Sequence, residues 1–229
     1  MVAYANGLNS TVAEAEGTTK DPDADPNDYW TNGGVEIEGI TYDQNSPGAE
    51  RVEISAEATE NRTIPAREGQ NVFFIGRNNS GGSYNYVMAP KTSIGVPGDN
   101  IYIGRYIGEK PTVKINNVLA MRNAAGIVAF KNLVLDFEDT ATTGNYLINF
   151  NGGTDPGVGT LVFEDCEIIY NKESLMSAYN AAGSIGNIIF RNCKIRDTGT
   201  SAGFIFNLSS LGNKFSLDLT KLKSIVVEN

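Results

Sequence analysis

One six-residue motif occurs three times between residues 126 and 196. It reads Phe-Lys-Asn-Leu-Val-Leu at 130–135, Phe-Glu-Asp-Cys-Glu-Ile at 163–168 and Phe-Arg-Asn-Cys-Lys-Ile at 190–195. Each copy follows the order aromatic, charged, Asn or Asp, small apolar, variable, aliphatic. The copies begin 33 and 27 residues apart, which is the period of one supersecondary unit rather than of a domain. The sequence therefore predicts a stack of such units.

Weaker copies extend the repeat in both directions. Phe73–Arg77 aligns with Ile101–Arg105 at an offset of 28, and Ile103 precedes Phe130 by 27 residues. Near the other end, the segment 224–229 aligns with 187–192. A second series recurs at offsets of 28, 29 and 27 after short strand-like segments, and it comprises Asn123, Asn151, Asn180 and Asn207. Each repeat is thus predicted to contain three short strands, a bend and loops of variable length.

A three-strand coil that repeats about every 27 residues and tolerates insertions predicts an all-β fold, a parallel β-solenoid. Neighbouring coils lie roughly 4.8 Å apart, so equivalent side chains form columns along the stack. A β-sandwich with coincidentally similar strands is the alternative, but it does not account for several agreeing registers. The predicted inward columns are Phe130, Phe163 and Phe190; Leu133, Cys166 and Cys193; and Leu135, Ile168 and Ile195.

The charged position of the motif alternates in sign along the stack. It reads Lys131, Glu164, Arg191 and Glu228, as directly opposed neighbours prefer. Glu167 and Lys194 are predicted to form a second pair. The Asn or Asp position is predicted to form an internal ladder at the bend, through Asn132, Asp165, Asn192 and Asn229.

The two cysteines occupy equivalent positions of neighbouring coils. Their expected Cα separation of roughly 4.8 Å permits a disulfide by distance. In-register side chains point the same way, so buried thiols are the favoured interpretation.

These residues resemble a known family. The Phe-x-Asn-Cys-x-Ile coil and the segment Gly-Glu-Lys-Pro-Thr-Val at 108–113 are similar to right-handed parallel β-helices of the pectin-lyase-like superfamily. The likeness is to pectate-lyase-like domains of unknown function from polysaccharide-degrading gut bacteria, and it covers residues 50–229. The resemblance implies that the strands before the Asn series form the first sheet, along whose outer face carbohydrate binds. It also implies an extracellular or cell-surface location.

Lyases of that family need a Lys or Arg base and often acidic calcium ligands on the first sheet, and the hydrolases need aspartates there. The set predicted to point outward here has one charged member, and it comprises Arg122, Leu147, Asn149, Met176, Ala178, Gly203 and Ile205. We therefore predict no catalytic residues, and we predict carbohydrate binding by Arg122, Asn149 and Tyr179. A surface ion pair for Arg122 and strand packing for the tyrosine are the structural alternatives.

Composition excludes other classes of function. The chain has no histidine, which removes Ser-His and His-zinc chemistry. Residues 1–69 contain 14 acidic and 4 basic side chains, against 13 and 14 in the remainder, so no basic face for nucleic acid is expected. No apolar run is long enough to insert in a membrane.

Residues 21–28 have calcium-loop spacing at Asp21, Asp23, Asp25 and Asn27, but Pro26 and Asn32 break the pattern. A solvated linker is therefore favoured, and no cofactor is predicted.

The predicted organisation is a capping or linker region at 1–50 and a β-helix at 51–229. The primary hypothesis is a module that binds polysaccharide without cleaving it. The alternatives are a uronate lyase that uses Arg122 and a structural or adhesive module of a larger surface protein. Because residues 224–229 begin a further coil, we expect either more chain beyond Asn229 or a partner that covers this end.

Overall fold

A computed structural model describes fifteen stretches of the chain. They are residues 29–30, 32–54, 58–65, 69–76, 85–88, 93–94, 98–105, 109–121, 126–141, 146–149, 158–172, 174–177, 185–200, 204–206 and 224–228. Within these stretches the protein contains strands and no helix. The parallel strands stack in three sheets, so the predicted all-β solenoid is confirmed.

Each sheet collects one strand from each successive coil. The seven-stranded sheet holds β3 (Ala49–Val52), β5 (Asn71–Ile75), β8 (Asn100–Ile103), β11 (Ile127–Lys131), β14 (Val158–Glu164), β17 (Ile185–Arg191) and β20 (Ser224–Glu228). The six-stranded sheet holds β4 (Arg62–Ile64), β6 (Tyr86–Met88), β9 (Thr112–Ile115), β12 (Val134–Asp136), β15 (Glu167–Tyr170) and β18 (Lys194–Asp197). The five-stranded sheet holds β7 (Ser93–Ile94), β10 (Leu119–Met121), β13 (Tyr146–Asn149), β16 (Ser174–Ser177) and β19 (Phe204–Phe206).

The repeated motif spans the corner between the seven- and six-stranded sheets. Asn132, Asp165 and Asn192 have φ values of 55°, 53° and 51°. This left-handed conformation is unfavourable for most residues, but Asn and Asp tolerate it because their short side chains bond locally. The Asn or Asp of the motif therefore turns the chain from one sheet into the next.

Five stacked aromatic rings form the spine of the core. The rings of Phe73, Tyr102, Phe130, Phe163 and Phe190 follow one another with centroids 5.1–5.6 Å apart and planes within 25° of parallel. The predicted column of three phenylalanines is confirmed and extends over two further coils. The other two inward columns are confirmed as well, since Leu135, Ile168 and Ile195 are in register and Leu133, Cys166 and Cys193 pack in the same core.

The predicted alignment of the two earlier coils is wrong by one residue. Phe73 lies opposite Tyr102 rather than Ile101. Phe130 in turn lies opposite Tyr102, and Ile103 pairs with the following lysine. After the asparagine that begins each of β5 and β8, the residues of both strands are apolar or aromatic. No alternation therefore marks their register, and a slip of one residue exchanges the two faces.

The outer face of the seven-stranded sheet is covered by an antiparallel hairpin, β1 (Val35–Ile37) and β2 (Ile40–Tyr42). Val35, Ile37 and Tyr42 pack in one buried cluster with the outward side chains of the sheet, which include Val72, Phe74, Ile101, Ile103, Ala129, Val162 and Ile189. Trp30 meets Phe74 edge-to-face at a centroid distance of 5.3 Å. This sheet is consequently buried on both faces, as its continuous apolar runs require.

The alternating segments Val-Glu-Ile-Glu at 35–38 and Val-Glu-Ile-Ser at 52–55 predict two half-buried strands. The segment Val35–Ile37 is a strand as expected, whereas the next strand ends at Val52 instead of beginning there. The boundary at residue 50 stays a prediction, although β3 already belongs to the seven-stranded sheet. Residues 1–28, with the calcium-like spacing, lie outside the described residues.

Candidate functional site

The predicted carbohydrate site belongs to the five-stranded sheet, whose strands end side by side. Ala120 of β10 pairs with Asn149 of β13, and Asn149 pairs with Ser177 of β16. Asn149 is the last residue of its strand, and its side chain is not among those described. Arg122 and Tyr179 lie outside the described residues. The predicted sheet is thus present, and the three strands that lead to these residues end at one common edge.

The predicted outward set is wrong for Leu147 and Met176, because both side chains are fully buried. Met176 pairs with Ile148 rather than with Leu147 or Asn149, so the set mixes two faces of the sheet. Leu147 and Ile148 are adjacent in one strand and point to opposite faces, yet neither is exposed. At β13 and β16 the sheet is therefore buried on both sides.

A second cluster of polar residues lies where β11, β14 and β17 end, and we call it the ionic corner. Lys131 contacts the carboxylate of Glu164 and lies 3.4 Å from that of Asp165. Arg191 lies 2.8 Å from the other oxygen of Glu164 and 3.0 Å from the carboxylate of Glu38. The predicted alternation of charge is confirmed for Lys131, Glu164 and Arg191, and the side chain of Glu228 is outside the description.

The second predicted pair is confirmed by a distance of 3.4 Å between Lys194 and Glu167. The predicted internal ladder of amides is confirmed only in part. Asn192 donates to the carboxylate of Asp165 at 2.6 Å, but Asn192 is exposed, whereas Asn132 is buried. Asn132 donates instead to the hydroxyl of Tyr29 at 2.9 Å. Asn229 lies outside the described residues.

The electrostatics of the ionic corner keep Lys131 and Tyr29 protonated. Burial acts to lower the pKa of Lys131, but the hydrogen bond and charge of Glu164, helped by Asp165, outweigh burial and raise it. Burial also raises the pKa of Tyr29, against the opposing influence of Lys131 and of the hydrogen bond from Asn132. A general base must be unprotonated near its working pH. Neither Lys131 nor Tyr29 is therefore poised to act as a general base, and the ion pairs of the corner link successive coils.

The corner also ties the hairpin segment to the solenoid. Tyr29 and Glu38 contact it from residues that precede the repeat, and neither was predicted to take part. A third tie joins Tyr42 to Asp99 by a hydrogen bond of 3.0 Å. Tyr29, Glu38 and Tyr42 lie outside the repeated motif, so the repeat does not identify them as contacts of the solenoid. The sequence indicates only that something covers the seven-stranded sheet, because the strands of that sheet are apolar on both faces.

The two cysteines are free thiols. Cys166 is buried and Cys193 is half-buried. Burial and the hydrogen bond with Cys193 raise the pKa of Cys166, whereas the same hydrogen bond lowers the pKa of Cys193 to about 7. The favoured interpretation as buried thiols thus holds for Cys166, and Cys193 is a more accessible and more acidic thiol.

Within the described residues, His, Cys, Asp and Glu side chains do not gather in any group able to hold a metal ion. That part of the chain also lacks any helix with the length and apolar character needed to cross a membrane. The chain matches no protein-family model, and it has no significant match among curated proteins or solved structures. The pectin-lyase-like resemblance therefore stays a prediction beyond the solenoid fold itself.

Proposed function

We propose that this solenoid is a pectin-lyase-like β-helix of the cell surface or extracellular space that binds a polysaccharide without cleaving it. The proposal is supported by the five-stranded sheet, where Ala120, Asn149 and Ser177 lie in register at or next to the ends of β10, β13 and β16. Successive coils present equivalent positions at a spacing of roughly 4.8 Å. A linear polymer lying along the stack would meet the same edge on each coil.

Residues at the ends of these strands, or just after them, have the chemistry to hold a sugar chain. Arg122 comes directly after β10, and a guanidinium pairs with the carboxylate of an acidic sugar. The amide of Asn149 both donates and accepts hydrogen bonds, as sugar hydroxyls require. Tyr179 comes two residues after β16 and carries a flat apolar ring with a polar end, which suits the face of a sugar ring. We infer that an acidic polysaccharide is the preferred ligand.

Affinity electrophoresis in gels containing pectic, host-derived or neutral polysaccharides tests the proposal. We expect one acidic polymer to retard the protein, and Arg122→Ala, Asn149→Ala and Tyr179→Ala each to weaken the retardation severalfold. Arg62→Ala is the matched control, because Arg62 is an exposed arginine on β4 of a different sheet. Absence of retardation by every polymer would contradict the proposal, as would equal loss in the control.

The same proteins distinguish binding from lyase activity. Cleavage by a uronate lyase forms an unsaturated uronate that absorbs in the near ultraviolet. We expect no such absorbance from the polymer that retards the protein. Absorbance that rises with time and disappears in Arg122→Ala would establish the lyase alternative instead.

A further inference from the structure

An Asn-Gly pair, Asn32 and Gly33, lies in the turn that leads into the hairpin. Both residues are exposed, and Gly33 has a φ of 85° and open space where a side chain would be. Since glycine has no side chain, its backbone nitrogen is easily approached. In such a pair this nitrogen attacks the side-chain amide carbon of the preceding asparagine, so the turn is a candidate for spontaneous chemistry.

The reaction is intramolecular and needs only water. The Gly33 nitrogen gives up its proton and bonds to Cγ of Asn32, the bond from Cγ to Nδ2 breaks, and ammonia leaves. Water then opens the resulting succinimide ring at either of its two carbonyl carbons. One opening yields aspartate. The other yields isoaspartate, in which the main chain runs through Cβ and Cγ and is therefore one atom longer.

The backbone N–H of Gly33 is available for this reaction. It donates no hydrogen bond within the described residues, whereas the N–H groups of Asn32 and Gly34 both donate to the carbonyl of Tyr29, at 3.3 Å and 2.9 Å. A paired N–H must first break its hydrogen bond before its nitrogen can attack. The turn therefore holds its neighbours in place and leaves the reactive nitrogen unpaired.

Asn45 provides a comparison within the same chain. It is also exposed, and it also precedes a small residue, Ser46. The N–H of Ser46, however, donates to the carbonyl of Asp43 at 3.0 Å, and the Ser46 hydroxyl accepts a hydrogen bond of 2.9 Å from the N–H of Asp43. Asn45 is thus protected by the bonds of its turn, and Asn32 is not.

The surroundings of the Asn-Gly turn determine where an extra backbone atom is accommodated. A Cβ at Gly34 would contact the carbonyl oxygen of Tyr42 and lie 2.7 Å from Cβ of Asp43, so the chain after the pair is pressed against the end of β2. The chain before the pair is less confined, because Tyr29 and Trp30 are only half-buried. Lengthening the turn therefore displaces these two aromatic residues.

Tyr29 and Trp30 attach this end of the hairpin to the solenoid, and we call them the aromatic anchor. The ring of Trp30 meets that of Phe74 edge-to-face with centroids 5.3 Å apart, and the Tyr29 hydroxyl accepts a hydrogen bond of 2.9 Å from Asn132. An extra bond of about 1.5 Å exceeds the spread of distances over which such a hydrogen bond persists. Displacement of the anchor thus breaks its contacts with the solenoid.

We propose that Asn32 is a site of spontaneous modification, at which deamidation to isoaspartate releases the aromatic anchor from the outer face of the seven-stranded sheet. The only reactant besides the protein is water, and the by-product is ammonia. Release uncovers Phe74 and loosens the cover of the sheet at the end where the hairpin begins. The site lies on a different sheet from the candidate glycan site, so this inference does not depend on the glycan-binding proposal.

Peptide mass spectrometry of the full chain, incubated at mildly alkaline pH, tests the chemistry. The rise in mass from amide to acid should appear at Asn32 severalfold faster than at Asn45, and fragmentation should identify both aspartate and isoaspartate. Asn32→Gln is the unreactive control, because its longer side chain would have to close a larger ring. Ser46→Gly gives Asn45 the same following residue and keeps the main-chain bond to Asp43, so Asn45 should still react more slowly than Asn32.

The fluorescence of Trp30 tests the consequence, because Trp30 is the only tryptophan of the chain. Its emission should shift to the red in step with the isoaspartate content at residue 32, whereas Asn32→Gln should show no drift. Absence of modification at Asn32, or equal rates at Asn32 and Asn45 in Ser46→Gly, would overturn the proposal. Unchanged emission from protein that carries isoaspartate at residue 32 would overturn it as well. Because no polysaccharide is present, these outcomes are independent of the glycan-binding test.

Discussion

The ring of Phe163 lies on the ring of Phe130 with centroids 5.3 Å apart and planes only 8° from parallel. Phe190 lies on its other face at 5.2 Å. Replacing Phe163 by Ala removes both contacts and leaves a cavity, so we expect a loss of about 4 kcal/mol in the free energy of unfolding. Phe163→Leu fills much of the cavity and should lose only about 1–2 kcal/mol, mainly from the ring contacts. Urea unfolding followed by circular dichroism measures both, and equal losses would contradict a role for stacking.

The buried position of Lys131 predicts a dependence of stability on alkaline pH. Lys131→Met should reduce the free energy of unfolding at neutral pH by about 2 kcal/mol, as for a buried hydrogen bond to a charged group. The pKa of Lys131 is raised by folding, so its contribution is complete below the unfolded value of 10.5 and is lost as the pH rises through the higher folded value. The difference in the free energy of unfolding between wild type and variant should therefore stay constant up to about pH 10.5 and shrink as the pH rises further.

The control for this measurement is Lys114→Met. Lys114 faces the exposed carboxylate of Asp139 at 3.5 Å, and exposed pairs contribute little. We expect a change of at most about 0.5 kcal/mol without the same alkaline decline. A neutral-pH loss of similar size in both variants would show that Lys131 acts through general surface charge.

A Cβ at Gly104 would meet the backbone where two coils approach. It would lie 2.1 Å from the carbonyl oxygen of Asn132, which cannot move without disturbing the bend. Gly104→Ala should therefore reduce the free energy of unfolding by about 3 kcal/mol or more, as overpacking does. Gly39→Ala is the control, because Gly39 has open space around it but a φ of 78°. Its cost should be about 1 kcal/mol, from backbone strain alone, and a larger loss at Gly39 than at Gly104 would refute the close approach.

The hairpin offers a matched pair of isoleucines. Ile37 is 1% exposed against the outer face of the seven-stranded sheet, whereas Ile40 is 44% exposed. Ile37→Ala should destabilise the hairpin by about 3 kcal/mol and increase the fluorescence of a dye that binds apolar surface. Ile40→Ala should change stability by no more than about 0.5 kcal/mol. Unchanged dye binding in Ile37→Ala would mean that the hairpin is not needed to cover the sheet.

The two thiols should differ in reactivity. Because the hydrogen bond from Cys166 lowers the pKa of Cys193 to about 7, iodoacetamide should modify Cys193 increasingly as the pH rises through that value, while Cys166 stays protected. Cys166→Ala removes the hydrogen bond, so the pKa of Cys193 should rise towards 9.0 and the reaction at neutral pH should slow. Mass spectrometry of the peptides identifies the modified residue. A pH profile that is the same in both proteins would contradict the link between the thiols.

The register of the later coils could be predicted from sequence, because their motif distinguishes the inward face of the strand from the outward face. Phe130, Phe163 and Phe190 mark the inside, and the alternating charges that follow them mark the outside. The earlier strands have no such contrast: Val72, Phe74 and their neighbours are apolar without interruption, and the shared Gly-Arg pairs at 76–77 and 104–105 suggested a register one residue away from the true one. Only the stacking of the rings determines it.

The hairpin's position could not be predicted. The alternating pattern of Val35–Ile37 indicates that one face of this strand is buried, but it does not indicate which part of the protein covers that face. The partner face belongs to strands up to about 150 residues away in sequence, and no repeat links them. The same limit applies to the candidate site. The repeat predicted the strands of the five-stranded sheet. Positions 147 and 148 are both apolar, so the sequence does not show which of the two side chains faces outward.

The alternation of charge at the ionic corner restricts how a chain of this kind can change in length. Glu164 separates two cations, so loss of the single coil that carries it would set Lys131 directly against Arg191. A single added coil copied from the coil of Lys131 or of Arg191, and inserted beside its original, would also place two cations in adjacent coils. Loss or gain of two coils together preserves the order of signs. Inside the run from Lys131 to Arg191 these charges therefore tolerate a change by two coils, whereas loss of the Glu164 coil alone calls for a compensating substitution.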